Sequence, residues 1–141
     1  MIQRILLAIN DPMRFRTIAR WTIELAASCS AHLLVVYFLP DGNLMANISQ
    51  TELKNKKIRK NSSQEEIAWQ VLYHIEDEAF EQNVRISLII ETGEQFERLK
   101  ELCNSYQIDL LVVSAESSQN VEKLIQYSPK PVIFFKSDKE V

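Results

Sequence analysis

The sequence predicts an α/β fold, an open five-stranded parallel sheet with helices packed on both faces. Three observations predict it. Four short runs, Ile5–Ile9, Leu33–Leu39, Ile108–Val113 and Val132–Phe135, are almost continuously apolar, as strands covered on both sides must be. Segments with helical spacing of apolar residues lie between the runs. The order therefore reads β-α-β-α-β-α-β-α-β, which calls for right-handed crossovers over a parallel sheet. The chain has 141 residues, the size of a single domain, here 1–141. Such a domain buries about two-thirds of its unfolded surface and needs no disulfide or metal.

Each element has its own signal. The opening MIQRILLAIN carries one positive charge and too short an apolar stretch for a signal peptide, so it reads as the first strand. In the first helix Phe15, Ile18, Ala19, Thr22, Leu25, Ala26 and Cys29 share a face, with Asp11 as N-cap and Pro12 at the first helical position. The second helix is expected to start at Ser62 or Ser63, where Glu65 and Glu66 complete capping boxes, and to end near Gln82. It turns Ile67, Ala68, Val71, Leu72, Ile75 and Ala79 toward the sheet. A further strand, Val84–Ile90, alternates apolar residues with Arg85 and Ser87, which suits a sheet edge. The third helix begins at Thr92 with Gln95 as capping partner and buries Phe96, Leu99, Cys103 and Tyr106. The fourth is capped by Ser117 or Ser118, turns Val121, Leu124 and Ile125 inward and is ended by Pro129.

Composition excludes several function classes. A net charge of −3 gives no general attraction to nucleic acid or anionic membrane. No apolar run approaches the roughly 18 residues of a membrane span, and the chain reads as cytoplasmic. Cys29 and Cys103 each fall on an apolar helical stripe and are expected as reduced core residues. His32 and His74 have no Cys or His at ligand spacing, so no metal is expected. No Ser/His/Asp or Cys/His set converges on the strand ends: His32 opens the second strand at its amino end and His74 is mid-helix, so the chain is read as non-enzymatic. A phosphoacceptor receiver would need a paired acidic cluster at the strand ends, where only Asp11 qualifies. Two glycines, Gly42 and Gly93, cannot build a phosphate loop, which needs glycine for positive φ and close backbone approach.

Open parallel sheets bind ligands at the carboxyl ends of their strands, at the topological switch point. The residues there are Asn10 and Asp11 after the first strand, Phe38 at the end of the second, and Ser114 after the fourth. Ser118, at the mouth of the last helix, completes a residual pocket. Two surface features stand apart. Residues 40–61 read as a long loop ending in the basic cluster Lys54, Lys56, Lys57, Arg59 and Lys60, either a solvated loop or a docking arm for an acidic protein partner or RNA, the last disfavoured because no interleaved aromatics offer base stacking. Trp69, Tyr73 and Phe80 form an outward aromatic stripe on the second helix, covered by that loop or kept as a contact surface for a protein partner.

With the strands placed, the chain resembles the universal stress protein family, of Rossmann-like fold. RILLAIN resembles that family's first strand, which normally ends in aspartate. ETGEQFERLKELCNSYQIDLLVVS resembles its third helix and fourth strand, including Gly93 and the run Asp109–Val113. EKLIQYSPKPVIFF resembles its last helix and strand, with a Pro-x-Pro-Val turn at Pro129, Pro131 and Val132. The resemblance implies a stress or regulatory protein that dimerises by pairing last strands, here Val132, Ile133, Phe134 and Phe135.

The resemblance also sets an expectation about nucleotide. Members that bind it carry G-x2-G-x9-G-[ST] after the fourth strand, whose amides hold phosphates at a helix N-terminus. Here Ser-Ala-Glu-Ser-Ser-Gln-Asn follows Val113. All three glycines are absent, the segment is shorter, and Glu116 sets a negative charge where phosphates would sit. Asn10 stands at the aspartate position and Phe38 at that of a small residue. No nucleotide cofactor is therefore expected in the family's usual manner; a small-molecule sensor using the reduced pocket is the alternative.

Overall fold

The structure, a computed structural model, describes residues 1–40, 50–115 and 118–136, without the side chains of residues 50–62 and 118–120. Its elements are β1 (Arg4–Ile9), α1 (Arg16–Cys29), β2 (His32–Phe38), α2 (Gln50–Glu81), β3 (Ile86–Glu91), α3 (Gln95–Ser105), β4 (Leu110–Ser114), α4 (Ser118–Tyr127) and β5 (Val132–Phe135). The five strands form one parallel sheet in the order β3-β2-β1-β4-β5. The sheet grows outward from β1 in both directions, so the switch point lies between β1 and β4. The alternation in Val84–Ile90 predicts an edge strand, and β3 is one.

Alternation along the central strands builds two cores. Ile5, Leu7 and Ile9 with Leu33, Val35 and Tyr37 meet α1 and α2 on one face. Leu6, with Leu34, Val36 and Phe38, meets α3 and α4 on the other through Leu99, Cys103 and Leu124. Burial pushes the Cys103 thiol up to about 11, so it stays protonated and unreactive at neutral pH. Asp109, in the run that carried the family resemblance, has a structural task. Its Oδ2 accepts the backbone N–H groups of Gln3 at 2.8 Å and Arg4 at 3.0 Å, which holds its carboxyl below the usual range and ties the start of β1 to β4.

Helix ends depart from expectation for local reasons. Asp11 does not cap α1. Its Oδ1 accepts the Met13 N–H at 2.8 Å in a tight turn, and the helix begins only at Arg16 with Phe15 at the N-cap position. Thr92 is likewise displaced: Gly93 at φ +100 turns the chain, and Glu94 caps α3 by accepting from the N–H groups of Phe96 and Glu97. The largest correction is in α2, which starts at Gln50 rather than Ser62 or Ser63, so residues 50–61 of the expected loop are helical. Nothing between Gln50 and Glu81 is glycine or proline, and Gln, Glu, Lys, Leu and Arg sustain a helix. The remainder of that loop, 41–49, lies outside the described residues. Three expected inward residues are exposed: Ile67, Tyr106 and Ile125. The first and last flank the buried stripes of their helices, and Tyr106 has already left α3 as its C-cap.

The scarcity of glycine has a visible consequence. Left-handed residues that close α1, α2 and α3 are Ser30, Asn83 and Gln107, at φ 55, 58 and 52. The amide after each returns to a carbonyl five residues earlier, Ala26, Ala79 and Cys103 respectively, the closure that glycine ordinarily serves.

At the amino edge of the sheet, the His32 Nε2 lies 2.8 Å from the Ser87 Oγ. Burial, then the charges of Arg85 and Arg4, lower its pKa. Below about pH 6.5 the unfolded chain therefore binds this proton more readily than the native one. Stability contributed by neutral His32 is present above that pH and lost as pH falls toward the lowered value. Urea unfolding at pH 7 and pH 5 should show a smaller acid loss for His32→Gln than for the parent; equal losses would contradict the assignment.

Candidate functional site

The carboxyl ends of β1, β2 and β4 bring the expected pocket residues together around the switch point. On the α3/α4 side a cleft is lined by Asn10, Phe38, Gln95, Leu99, Ser114 and Leu124, among others. The centre of a water molecule can range over only about 20 Å³ of it, room for about one water. Among its lining residues is Phe38, the last residue of β2, which is 2% exposed. It belongs to the same buried cluster as Leu99, Val113 and Leu124.

Polar groups gather at the mouth. The Asn10 Nδ2 points to the Gln95 Oε1 at 3.5 Å, long for a hydrogen bond. Gln95 stands one residue beyond the Glu94 cap. Burial pushes the Glu94 carboxyl up, but the N–H groups of Glu97 and Phe96 and the Lys123 ammonium outweigh it and hold its pKa below the ordinary value. The Lys123 Nζ reaches the Glu94 Oε1 at 3.5 Å, linking α4 to the start of α3.

A second cleft opens on the α1 side of the same strand ends. Asn10, Asp11, Arg14, Ile18 and Ser114 line about 150 Å³ there. Asp11 thus faces this cleft rather than the first. Together with burial, its charge raises the Tyr37 pKa, so that phenol remains a neutral hydroxyl. Sequence reasoning named Asn10, Asp11, Phe38 and Ser114, and all four line one cleft or the other. It missed Gln95 as a lining residue, because the sequence assigned that position to a capping box with Thr92, and Arg14, for which the sequence held no signal. Glu116, Ser117 and the Ser118 side chain lie outside the described residues.

Among the described residues, no group of three His, Cys, Asp or Glu could hold a metal, neither histidine lines either cleft, and no helix is long and apolar enough to cross a membrane. The aromatic stripe of α2 is exposed. Trp69 and Tyr73 stack at 5.5 Å between ring centroids, and Phe80 is 81% exposed. Along β5 every residue is partly buried, and Phe135 meets Trp21 of α1 at 5.8 Å.

Comparison with known proteins agrees with this architecture. The chain belongs to the universal stress protein family, which matches residues 1–136. It is similar to the universal stress protein UspA from Lactobacillus plantarum, at 15% identity and a TM-score of 0.75, covering 95% of this chain and 97% of that one. A universal stress protein family protein from Arabidopsis thaliana with AMP bound is 15% identical, with a TM-score of 0.70 over 96% and 92% of the two chains. A universal stress protein from Archaeoglobus fulgidus in complex with dAMP is 16% identical, with a TM-score of 0.60 over 95% and 98%. At such identities the likeness is one of fold. No curated protein matches the chain.

Proposed function

We infer that this chain is a non-enzymatic stress or regulatory protein that does not hold ATP in its family's usual manner and acts through dimerisation and protein contacts. The observation that carries the reading is Phe38, which fills the cleft between β1, β2 and the α3 N-terminus and leaves room for about one water. A purine would have to displace it. The sequence adds two independent supports: Asn10 in place of the family's aspartate, and no glycine between Ser114 and Pro129 to shape a phosphate loop. The Arabidopsis and Archaeoglobus proteins hold AMP and dAMP, whereas this chain lacks both the aspartate and the glycines that the family resemblance ties to such binding.

The dimer contact proposed is β5. Among the described residues it pairs only with β4, and an apolar edge left open invites pairing. A second reading, a small-molecule sensor, is favoured by the cleft of about 150 Å³ beside Asp11 and Arg14.

Thermal unfolding with AMP, ATP, cAMP and cyclic dinucleotides separates the two. A ligand present at a hundred times its dissociation constant adds about 2.7 kcal/mol, several degrees in Tm for a chain of this size. The expected result is no shift with any of them at millimolar concentration. A shift with adenine nucleotides would overturn the main reading, and one confined to cyclic dinucleotides would favour the second.

A further inference from the structure

Strand β3 is an edge without the usual safeguards. Among the described residues it pairs only with β2, in unbroken register from Ile86 to Glu91. Sheet edges are ordinarily blunted by proline, lysine or a bulge, and residues 84–91 contain neither proline nor lysine. The amides of Leu33 and Leu39 donate to the carbonyls of Arg85 and Glu91, so the odd-numbered residues of β3 bond β2. Alternation then points the backbone groups of Ile86, Leu88 and Ile90 to the open side.

The aromatic stripe of α2 flanks this same edge. Trp69, Tyr73, Glu76 and Phe80 recur at i, i+4, i+7 and i+11, one side of a helix. Glu76 and Phe80 line a groove of about 470 Å³ with Val84, Arg85 and Ile86, so that side of α2 faces the open side of β3. The other flank faces α1, where the His74 and Phe15 rings meet at 5.5 Å. The Val84 amide donates to the Ala79 carbonyl at 2.9 Å, which aligns the end of α2 with the start of β3. Leu88 lies about 13 Å further along the strand, a distance that about nine helical residues cover. It is therefore level with Gln70, between the stacked rings of Trp69 and Tyr73.

We propose that β3 pairs antiparallel with β3 of a second copy of this chain about a two-fold axis at Leu88, continuing the sheet from one copy into the next. Charge sets the register. It places Ile86 opposite Ile90 of the partner subunit and Arg85 opposite Glu91 of the partner subunit, each pair occurring twice by symmetry. Arg85 and Glu91 extend from the same sheet face as Ile89, the α3/α4 face. They meet at non-hydrogen-bonded positions, where opposed side chains come closest. A shift of two residues either way separates the charges, and parallel pairing in register would set like charges together. The open backbone groups of Ile86, Leu88 and Ile90 meet their counterparts in about six hydrogen bonds. Because the axis stands perpendicular to the sheet, both α2 helices lie on one face and their aromatic stripes approach over the junction. Trp69 and Tyr73, 36% and 52% exposed, then sit near the centre, where aromatic anchors contribute most.

The pairing rests on the reading that the chain acts through protein contacts, and it does not involve β5; together the two would join dimers into larger even-numbered assemblies. The test uses the Val132→Pro chain, in which β5 pairing is removed. Sedimentation at tens of micromolar should show a dimer. Adding Ile86→Pro removes an N–H from the open edge and no bond to β2, at the first residue of the strand where proline is tolerated. It should leave a monomer that circular dichroism shows to be folded. Arg85→Glu and Glu91→Arg, each made alone on the Val132→Pro chain, should raise the dissociation constant about tenfold, as two cross-strand pairs turn from attraction to repulsion. An equimolar mixture of these two forms should recover the unreversed affinity. A monomeric Val132→Pro chain would overturn pairing through β3, while the proposed β5 dimer is judged separately on the Ile86→Pro chain. A folded Ile86→Pro form that still dimerises on the Val132→Pro chain would overturn β3 as the contact. Reversed forms that pair as tightly alone as when mixed would overturn the register.

Discussion

Replacing Phe38 by alanine should destabilise the domain by about 3–5 kcal/mol, the range for deleting a buried aromatic side chain. Phe38 is 2% exposed and packs among Leu99, Val113 and Leu124, so its removal leaves a cavity at the strand ends rather than a surface the chain can close. For a domain of this size the melting temperature should fall by roughly 10 °C or more. Against the 5–15 kcal/mol that holds a typical domain together, this is a large fraction. Calorimetry of the parent and the variant checks it. A variant melting within about 2 °C of the parent would mean that Phe38 does not plug the cleft, and the case against nucleotide would lose its structural support.

Substituting Val132 by proline should abolish pairing through β5 while sparing the sheet. The Leu111 and Ala115 amides donate to the carbonyls of Pro131 and Phe135, so the odd-numbered residues of this strand bond β4. The alternation of a strand then points the backbone groups of Val132 and Phe134 to the open edge. Proline at Val132 removes an outward N–H and no bond to β4, and proline is tolerated at the first residue of an edge strand. On the Ile86→Pro chain, in which β3 pairing is removed, sedimentation should show a dimer, and adding Val132→Pro should leave a monomer. An Ile86→Pro chain that is monomeric, or a double variant that still dimerises, would exclude β5 as the interface.

Much of the fold could be read from residue pattern because strands buried on both faces leave a strong signal. The runs at Leu33–Leu39 and Val132–Phe135 cover their strands to within a residue, and the Arg85 and Ser87 interruptions placed β3 at an edge. Helix starts were harder. Asp11 and Thr92 have the right chemistry for caps, but a turn at Met13 and the left-handed Gly93 decided where α1 and α3 begin. The basic segment before Ser62 looked like a loop because its charges hide any periodicity, yet without glycine or proline nothing stops α2 from beginning at Gln50. Pocket residues that follow strands were legible from topology alone, as Asn10, Phe38 and Ser114 illustrate. Gln95 and Arg14 were not, since they reach the site from helix starts whose position depends on those same turns.

Native mass spectrometry of the protein purified from its own cell tests the central claim most directly, because it weighs the assembly together with whatever it retains. A dimerising chain whose cleft is closed by Phe38 should appear as an even number of chains with no added mass. A spectrum in which each chain carries one nucleotide would contradict it.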